Sequence, residues 1–305
     1  MSQQVPTATG DWIGPLRFSL YGSLSELWCY PARAWVHRDL VFAWVKREWT
    51  ARFLGTALGP LWPFVQPLAL FAVYAFVFSE LFGMRPAAPD ASPALGAVWI
   101  FAGVLVWTSF AECLSRAASA FFENRNLVQK SSFPADLLVL QPVLVSFATL
   151  AVGAVVFCCI SWFVAGTHPS LAQLALFGVL LSLHFAWMLG LALTLACAQV
   201  VLRDTASLLG VVLTVWMFAT PIFWVADVAA LPAIEPWLAW IQANPMHSLL
   251  EAWRWTLLGE SAAPFASAEL GVDLARFAPW ALGALIVGLF SARALRGSLS
   301  DEVAA

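Results

Sequence analysis

The sequence predicts an all-α integral membrane protein with six transmembrane helices, an N-terminal cytoplasmic interfacial helix, and a re-entrant or surface helical segment before the sixth. Three observations lead there. Of the 305 residues, 61% are hydrophobic and 11% are charged, against roughly 25% charged in a soluble domain. Mean hydropathy is +0.81. Long stretches carry no charge and lack the apolar–polar alternation of barrel strands, so their backbone amides must pair within each segment, as helices.

Each element follows from where charges interrupt the apolar runs, taking roughly 20 residues as the length that crosses hydrocarbon. Residues 1–32 read as a cytoplasmic extension. Met1 to Gly10 carry neither basic residues nor an apolar core, so no cleaved signal peptide is expected and the first crossing serves as the insertion signal. Residues 33–54 combine Arg33, Arg38, Lys46, Arg47 and Arg52 with Phe42, Val45, Trp49 and Phe53 on one helical stripe. That is the pattern of a helix lying on the inner membrane face, its basic side chains towards anionic headgroups. Leu40 and Trp44 fall off the stripe.

The transmembrane domain occupies residues 55–296. Its first crossing covers about 61–82, within and just beyond an uncharged stretch from Phe53 to Ser79, and its second about 96–117. Leu137 to Leu202 contains no Asp, Glu, Lys or Arg, too long a run for one crossing. Gly166-Thr167-His168-Pro169 divides it into crossings at about 137–164 and 171–200 joined by a tight outer turn. The fifth covers about 206–226 and the sixth about 275–294, leaving 297–305 as a cytoplasmic tail. Pro236 to Leu250 is too short and interrupted to span, which leaves it at the surface or re-entering partway.

Orientation follows from the cations, because Lys and Arg are retained on the cytoplasmic side. With the N-terminus inside, Arg17, Arg33, Arg38, Lys46, Arg47, Arg52, Arg116, Arg125, Lys130, Arg203, Arg293 and Arg296 are cytoplasmic. Only Arg85, Arg254 and Arg276 remain outside, and both termini are expected in the cytoplasm. The net charge of −3 gives no basic excess for nucleic acid. Cys29, Cys113, Cys158, Cys159 and Cys197 show no C-x-x-C spacing and read as small hydrophobes rather than as a disulfide or metal set.

No nucleotide-binding, nucleophile-elbow or zinc-hydrolase motif is present, so the chain is expected not to be an enzyme by itself and to hold no metal or other cofactor. His184, mid-span in the fourth crossing, reads as hydrogen-bonded to a neighbouring helix. Glu80 and Glu112 lie near helix ends, and the spans otherwise lack the carboxylates that couple ion gradients to transport. The energy for a pump of this kind would come from another subunit.

Four patterns sit at corresponding places in this layout. Lys46-Arg47-Glu48 and then Leu58 to Pro67 (LGPLWPFVQP) approach the first crossing, and Glu123 to Pro134 (ENRNLVQKSSFP) joins the second and third. Arg203-Asp204 precedes the fifth, which closes on Pro221-Ile222-Phe223-Trp224; Asn244 to Trp255 (NPMHSLLEAWRW) follows, closed by Gly259. Together they resemble the ABC-2 type permeases that export polysaccharides such as O-antigen, teichoic acid or capsule, over the stretch from about Arg38 to the sixth crossing. The resemblance implies a homodimer in the bacterial inner membrane, two copies of a separate ATPase subunit that holds the ATP and magnesium, and a lipid-linked polysaccharide, most readily of O-antigen type, as substrate. An ABC-2 exporter of a drug or small lipid, or a polytopic glycosyl- or acyltransferase, are the alternatives.

Within that frame, Glu123, Asn124, Arg125, Asn126, Leu127, Lys130, Phe133 and Pro134 are candidates for the ATPase contact, against an ordinary connector. Arg38, Lys46, Arg47, Trp49 and Arg52 mark the interfacial helix. Arg203 and Asp204 form the junction of the fourth and fifth crossings as an ion pair, a cap or a gate. Asn244, Pro245, Glu251 and Arg254 belong to the outer segment, where Glu251 and Arg254 share a helical face. Trp107, Trp187 and Trp216, near mid-span, are candidates to line a glycan path, because sugar C–H faces stack on indole planes. Trp62, Trp99 and Trp224 read instead as interface or lipid-facing anchors.

Overall fold

The computed structural model describes residues 29–52, 54–77, 93–128, 134–167, 170–226, 232–262 and 270–295. After a helical lead-in over 29–36, helix α1 runs Arg38–Ala51, α2 Trp62–Ala75, α3 Pro93–Glu123, the single-turn α4 Arg125–Val128 and α5 Leu140–Ala165. Then come α6 Leu171–Val201, α7 Thr205–Ala219, α8 Leu238–Ala243, α9 Pro245–Leu258 and α10 Leu270–Leu295. No strand occurs among the described residues. Helices α3, α5, α6 and α10 are long and apolar enough to cross a membrane, and α2 and α7 are shorter apolar helices.

The helix ends have local causes. Gly166, at φ 65, closes α5 in the left-handed conformation and donates its N–H to Trp162 O. Ser170 and Gln173 then cap α6 reciprocally: Ser170 N donates to Gln173 Oε1 at 2.6 Å and Gln173 N donates to Ser170 Oγ at 3.3 Å. The expected fifth crossing is cut short. Pro221 biases the residue before it towards extended backbone, Thr220 adopts φ −102 and ψ 140, and α7 stops at Ala219. Helix α3 extends past its expected end, to Glu123, because Glu112 and Arg116 find partners on α1 instead of ending the helix. The upper end of the first expected crossing, with Glu80, lies outside the described residues, as does Arg85 beyond it.

Helix α3 is the centre of the bundle and contacts α2, α5, α6, α7 and α9. The most extensive packing is between α6 and α10. There the two backbones touch: a methyl group on Gly190 would meet the Ala284 carbonyl, and one on Gly288 would meet Gly190 O. Hydrocarbon offers no hydrophobic drive between helices, so such small-residue contacts carry the association.

The segment expected at the surface or re-entering, Pro236 to Leu250, divides in two: Pro236, Trp237, Ala239, Trp240 and Ala243 are exposed, whereas Met246 to Leu250 are buried. Helix α9 is buried along its length, among α3, α6 and α10. Asn244 caps it, accepting from Met246 N at 3.0 Å, Pro245 takes the position that needs no N–H, and Gly259 ends it.

Candidate functional site

At the end of the bundle that holds α1 and α4, charged side chains join three elements. Arg52, capping α1, sets Nη2 2.8 Å from Glu112 Oε1 on α3. Arg116, one turn on, sets Nε 3.3 Å from the same oxygen and donates from Nη1 to Glu48 on α1. Burial lowers the pKa of the Arg52 guanidinium below its ordinary value; the carboxylates of Glu112 and Glu48 oppose that and the charge of Arg116 adds to it. Arg33 Nη2 donates to Asp136 Oδ2 at 2.8 Å, and Tyr30 Oη donates to Asp136 O at 3.3 Å. Asp136 lies in the 3-10 turn Ala135–Val139 that leads from the α4 loop into α5. The interfacial helix is therefore tied to both helices that the α4 loop connects. Sequence reading gave no role to Asp136, Glu48 or Glu112 in these ties, because their partners lie far along the chain.

Above this network a cavity of about 440 Å³ opens between α1, α2, α3 and α5, lined among others by Trp49, Arg52, Trp62, Gln66, Glu112 and Arg116. It combines indole faces with hydrogen-bonding and ionic groups, which a polar, ring-bearing solute can use. Below it, a smaller cavity of about 170 Å³ lies among Arg47, Glu48, Arg116, Glu123 and Asn124.

The described part of the expected contact loop, Glu123 to Val128, is a hydrogen-bonded turn. Asn124 turns the chain, donating from Nδ2 to Ala120 O at 2.9 Å, and its carbonyl accepts from Leu127 N and Val128 N. Val128 is buried, while Glu123, Arg125 and Asn126 are exposed and Leu127 is half-buried. Pro134 precedes the turn Ala135–Val139. Lys130 and Phe133 lie outside the described residues, as does Phe53 of the α1 stripe. On α1 itself Val41 and Trp44 face the protein and Phe42 faces outward, so Trp44, which the stripe omits, is the anchoring residue. Arg38, Lys46 and Arg47 are exposed, and Trp49 is half-buried in the wall of the larger cavity.

At the α6–α7 junction Asp204 occupies the N-cap position but makes no side-chain cap bond. Gln199 does that work: its Oε1 accepts from Ala206 N at 2.6 Å and its Nε2 donates to Arg203 O at 2.7 Å. Arg203 and Asp204 are both exposed.

At the opposite end Arg254, wholly buried, organises a second polar site. Its Nη1 donates to Glu251 Oε1 at 2.8 Å and to Pro221 O at 3.0 Å, its Nη2 donates to Ile222 O at 3.1 Å, and the guanidinium lies 3.4 Å from the Trp99 ring centre. Gly103 leaves room for it; a methyl group there would stand 2.6 Å from Nη2. Trp216 Nε1 donates to Asn244 Oδ1 at 3.0 Å, and Asn244 Nδ2 donates to Thr220 Oγ1 at 2.9 Å. The bent end of α7 is thus fastened to α9 at two points. Trp99 is buried beneath Arg254 and is no interface anchor.

The tryptophans expected on a glycan path, Trp107, Trp187 and Trp216, lie together in one aromatic cluster. Trp107 and Trp187 are buried in the protomer's own core. Phe110 stacks on Trp187 at 4.7 Å, and Trp216, half-buried, meets Trp107, Phe110 and Trp187 edge-on at 6.1, 5.6 and 6.0 Å. The rings pack on one another, and of the three tryptophans only Trp216 keeps appreciable accessible surface. His184 accepts from Trp253 Nε1 through Nδ1 at 3.2 Å, a helix-to-helix bond between α6 and α9.

An apolar bundle with, among the described residues, four helices long enough to cross a membrane and charged ties at one end has the build of a multi-pass membrane protein. Comparison with known proteins gives the family: the ABC-2 type transporter model matches residues 39–258, and the chain belongs to that family. It is 28% identical over 218 residues to the O-antigen export system permease protein RfbA of Myxococcus xanthus, covering 72% of this chain and 80% of that one. It is 24% identical over 220 residues to the protein of the same name from Klebsiella pneumoniae, covering 71% and 79%. The chain is a membrane-embedded permease of the ABC-2 type.

Proposed function

We propose that the chain is the membrane half of an exporter that moves a lipid-linked polysaccharide of O-antigen type across the inner membrane, working as a homodimer with two separately encoded ATPase subunits. In this reading α2, α3, α5, α6, α7 and α10 are the six crossings, both termini are cytoplasmic, and α1 lies on the inner face. Helices α8 and α9 dip into the membrane from the outside and return. The transmembrane domain is 55–296, between the extension 1–32 with its interfacial helix 33–54 and the tail 297–305.

One observation carries the division of labour. The turn of α4 projects Glu123, Arg125 and Asn126 from the end of α3, while buried Val128 and the Asp136 tie fix its two sides to the bundle. A protruding turn with such ties can transmit a push from an ATPase into α3, α5 and α1 together. The substrate class rests on the names of the relatives and on the cavity lined by Trp49, Trp62, Gln66, Glu112 and Arg116, which offers sugar-stacking planes beside polar groups. In this reading that cavity is the inner end of the path, and Trp216, half-buried, is the one mid-span tryptophan of the three with appreciable surface to offer that path.

Reversing charge at Arg125 and Lys130 (Arg125→Glu with Lys130→Glu) should abolish export while the protein still inserts at normal levels. Glycan trapped inside the cell is measured against glycan at the surface, with sugar analysis of the trapped material. Normal export from the double variant discards the ATPase contact, and accumulation of a small lipid or drug in place of glycan discards the substrate.

A further inference from the structure

Between α1 and the bundle lies a groove of about 830 Å³, separate from the two cavities above. Trp35 and Phe42 form one wall; Leu144 on α5 with Phe185 and Leu189 on α6 form the other. Leu144 sits near the start of α5 and Phe185 midway along α6, so the groove runs from a membrane surface towards hydrocarbon depth. Trp35 and Phe42 are 70% and 69% exposed, which in water would be a standing apolar patch and in a bilayer is a lipid-facing side.

The lining decides the occupant. Water would find few hydrogen-bond partners on such walls. An extended peptide would bring backbone groups that apolar walls leave unpaired, and a helix is wider than an acyl chain and its backbone brings no charge pair to meet Arg38 and Asp39. A hydrocarbon chain has neither need. The charges on the lining are Arg38 and Asp39, both exposed. Arg38 is held in place: its guanidinium lies 5.2 Å from the Trp35 ring centre and its Nη1 donates to Trp35 O at 3.1 Å. One cation beside one anion complements a headgroup that carries both signs. A purely anionic headgroup would meet Asp39 as a repulsion.

We propose that this groove binds a zwitterionic phospholipid of phosphatidylethanolamine type from the leaflet that meets α1. Its acyl chain lies between Phe42 and the Leu144–Phe185 wall, its phosphate on Arg38 and its ammonium at Asp39. The lipid then completes the seat of α1, which otherwise holds the bundle through Val41, Trp44 and its ionic ties.

The test is native mass spectrometry of the full chain, purified in mild detergent and offered equal phosphatidylethanolamine and phosphatidylglycerol. The wild type should retain phosphatidylethanolamine in preference. Leu144→Trp, which fills the groove, should lose that adduct, while Leu68→Trp on the exposed face of α2 should keep it. Arg38→Ala should weaken retention about fivefold, the ratio equivalent to about 1 kcal/mol for an exposed ionic contact, and Asp39→Asn should move the preference towards phosphatidylglycerol. Should Leu144→Trp fail to fold, the two exposed substitutions carry the test alone. Equal retention of both lipids, preference for the anionic one, or retention that none of the folded groove variants changes would overturn the proposal. None of these outcomes depends on what the protein exports.

Discussion

Arg254 shows how much one residue holds in this molecule. It is fully buried, yet its guanidinium reaches Glu251, two backbone carbonyls at the bent end of α7, and the face of Trp99. Losing one member of a buried ion pair costs about 3–5 kcal/mol, because the remaining charge is left unpaired. Arg254→Ala should therefore lower the thermal midpoint in detergent, followed by tryptophan fluorescence, far more than the double change Glu251→Gln with Arg254→Gln. Arg254→Lys should fall between, since an ammonium keeps the charge but gives up the planar fork that serves Pro221 O and Ile222 O together. A midpoint for Arg254→Ala equal to the wild type would show that the clamp carries no weight. The pairing of Glu251 with Arg254 was legible in the sequence from their i,i+3 spacing. Trp99 and Gly103 were not, because no periodicity links a helix position to a ring that the fold delivers from elsewhere.

At the scale of elements, the sequence located the apolar runs and many of the breaks between them. Gly166 and Ser170 stand where α5 ends and α6 begins, since caps are local chemistry. Which side of each helix meets protein and which meets lipid was not legible. In water an apolar stripe marks the buried side; in a bilayer both sides are apolar, so nothing in the pattern says that Trp107 and Trp187 turn into the core, and on the interfacial α1 apolar residues meet lipid as well as protein, Phe42 facing out while Trp44 faces in. Small residues report the contact better than large ones do. Gly190 and Gly288 sit where the backbones of α6 and α10 touch, whereas nothing comes within 4 Å of a methyl group on Gly178, on the same helix α6. Gly190→Ala and Gly288→Ala should each destabilise the bundle, by at least the about 1–3 kcal/mol typical of an overpacked core, since backbone cannot rotate aside as a side chain can. Gly178→Ala should instead be stabilising by about 0.5–1 kcal/mol, through helix propensity alone. Equal effects at Gly178 and Gly190 in a detergent-resistance assay would mean that the α6–α10 contact is looser than the structure has it.

For the whole molecule, the two ends differ in the kind of charge they hold, and that difference predicts which way the protein faces. The α1 end presents exposed Arg38, Lys46, Arg47, Arg125 and Arg203, cations that would have to cross the bilayer if this end were outside. At the other end Arg254 is sealed inside the protein, where it does not act as a surface retention signal, and Arg276 is the one exposed cation there among the described residues. The α1 end should therefore be cytoplasmic, as the proposed ATPase contact needs. Single cysteines at Asn126 and Glu260, both exposed and on opposite sides in this reading, can be placed in a variant whose Cys29, Cys113, Cys158, Cys159 and Cys197 are replaced. A membrane-impermeant maleimide should label Glu260→Cys in spheroplasts and Asn126→Cys only after the membrane is opened. Labelling of Asn126→Cys from outside would invert the molecule and strand the α4 turn on the side where no ATP is available, and the division of labour between this chain and an ATPase would fall with it.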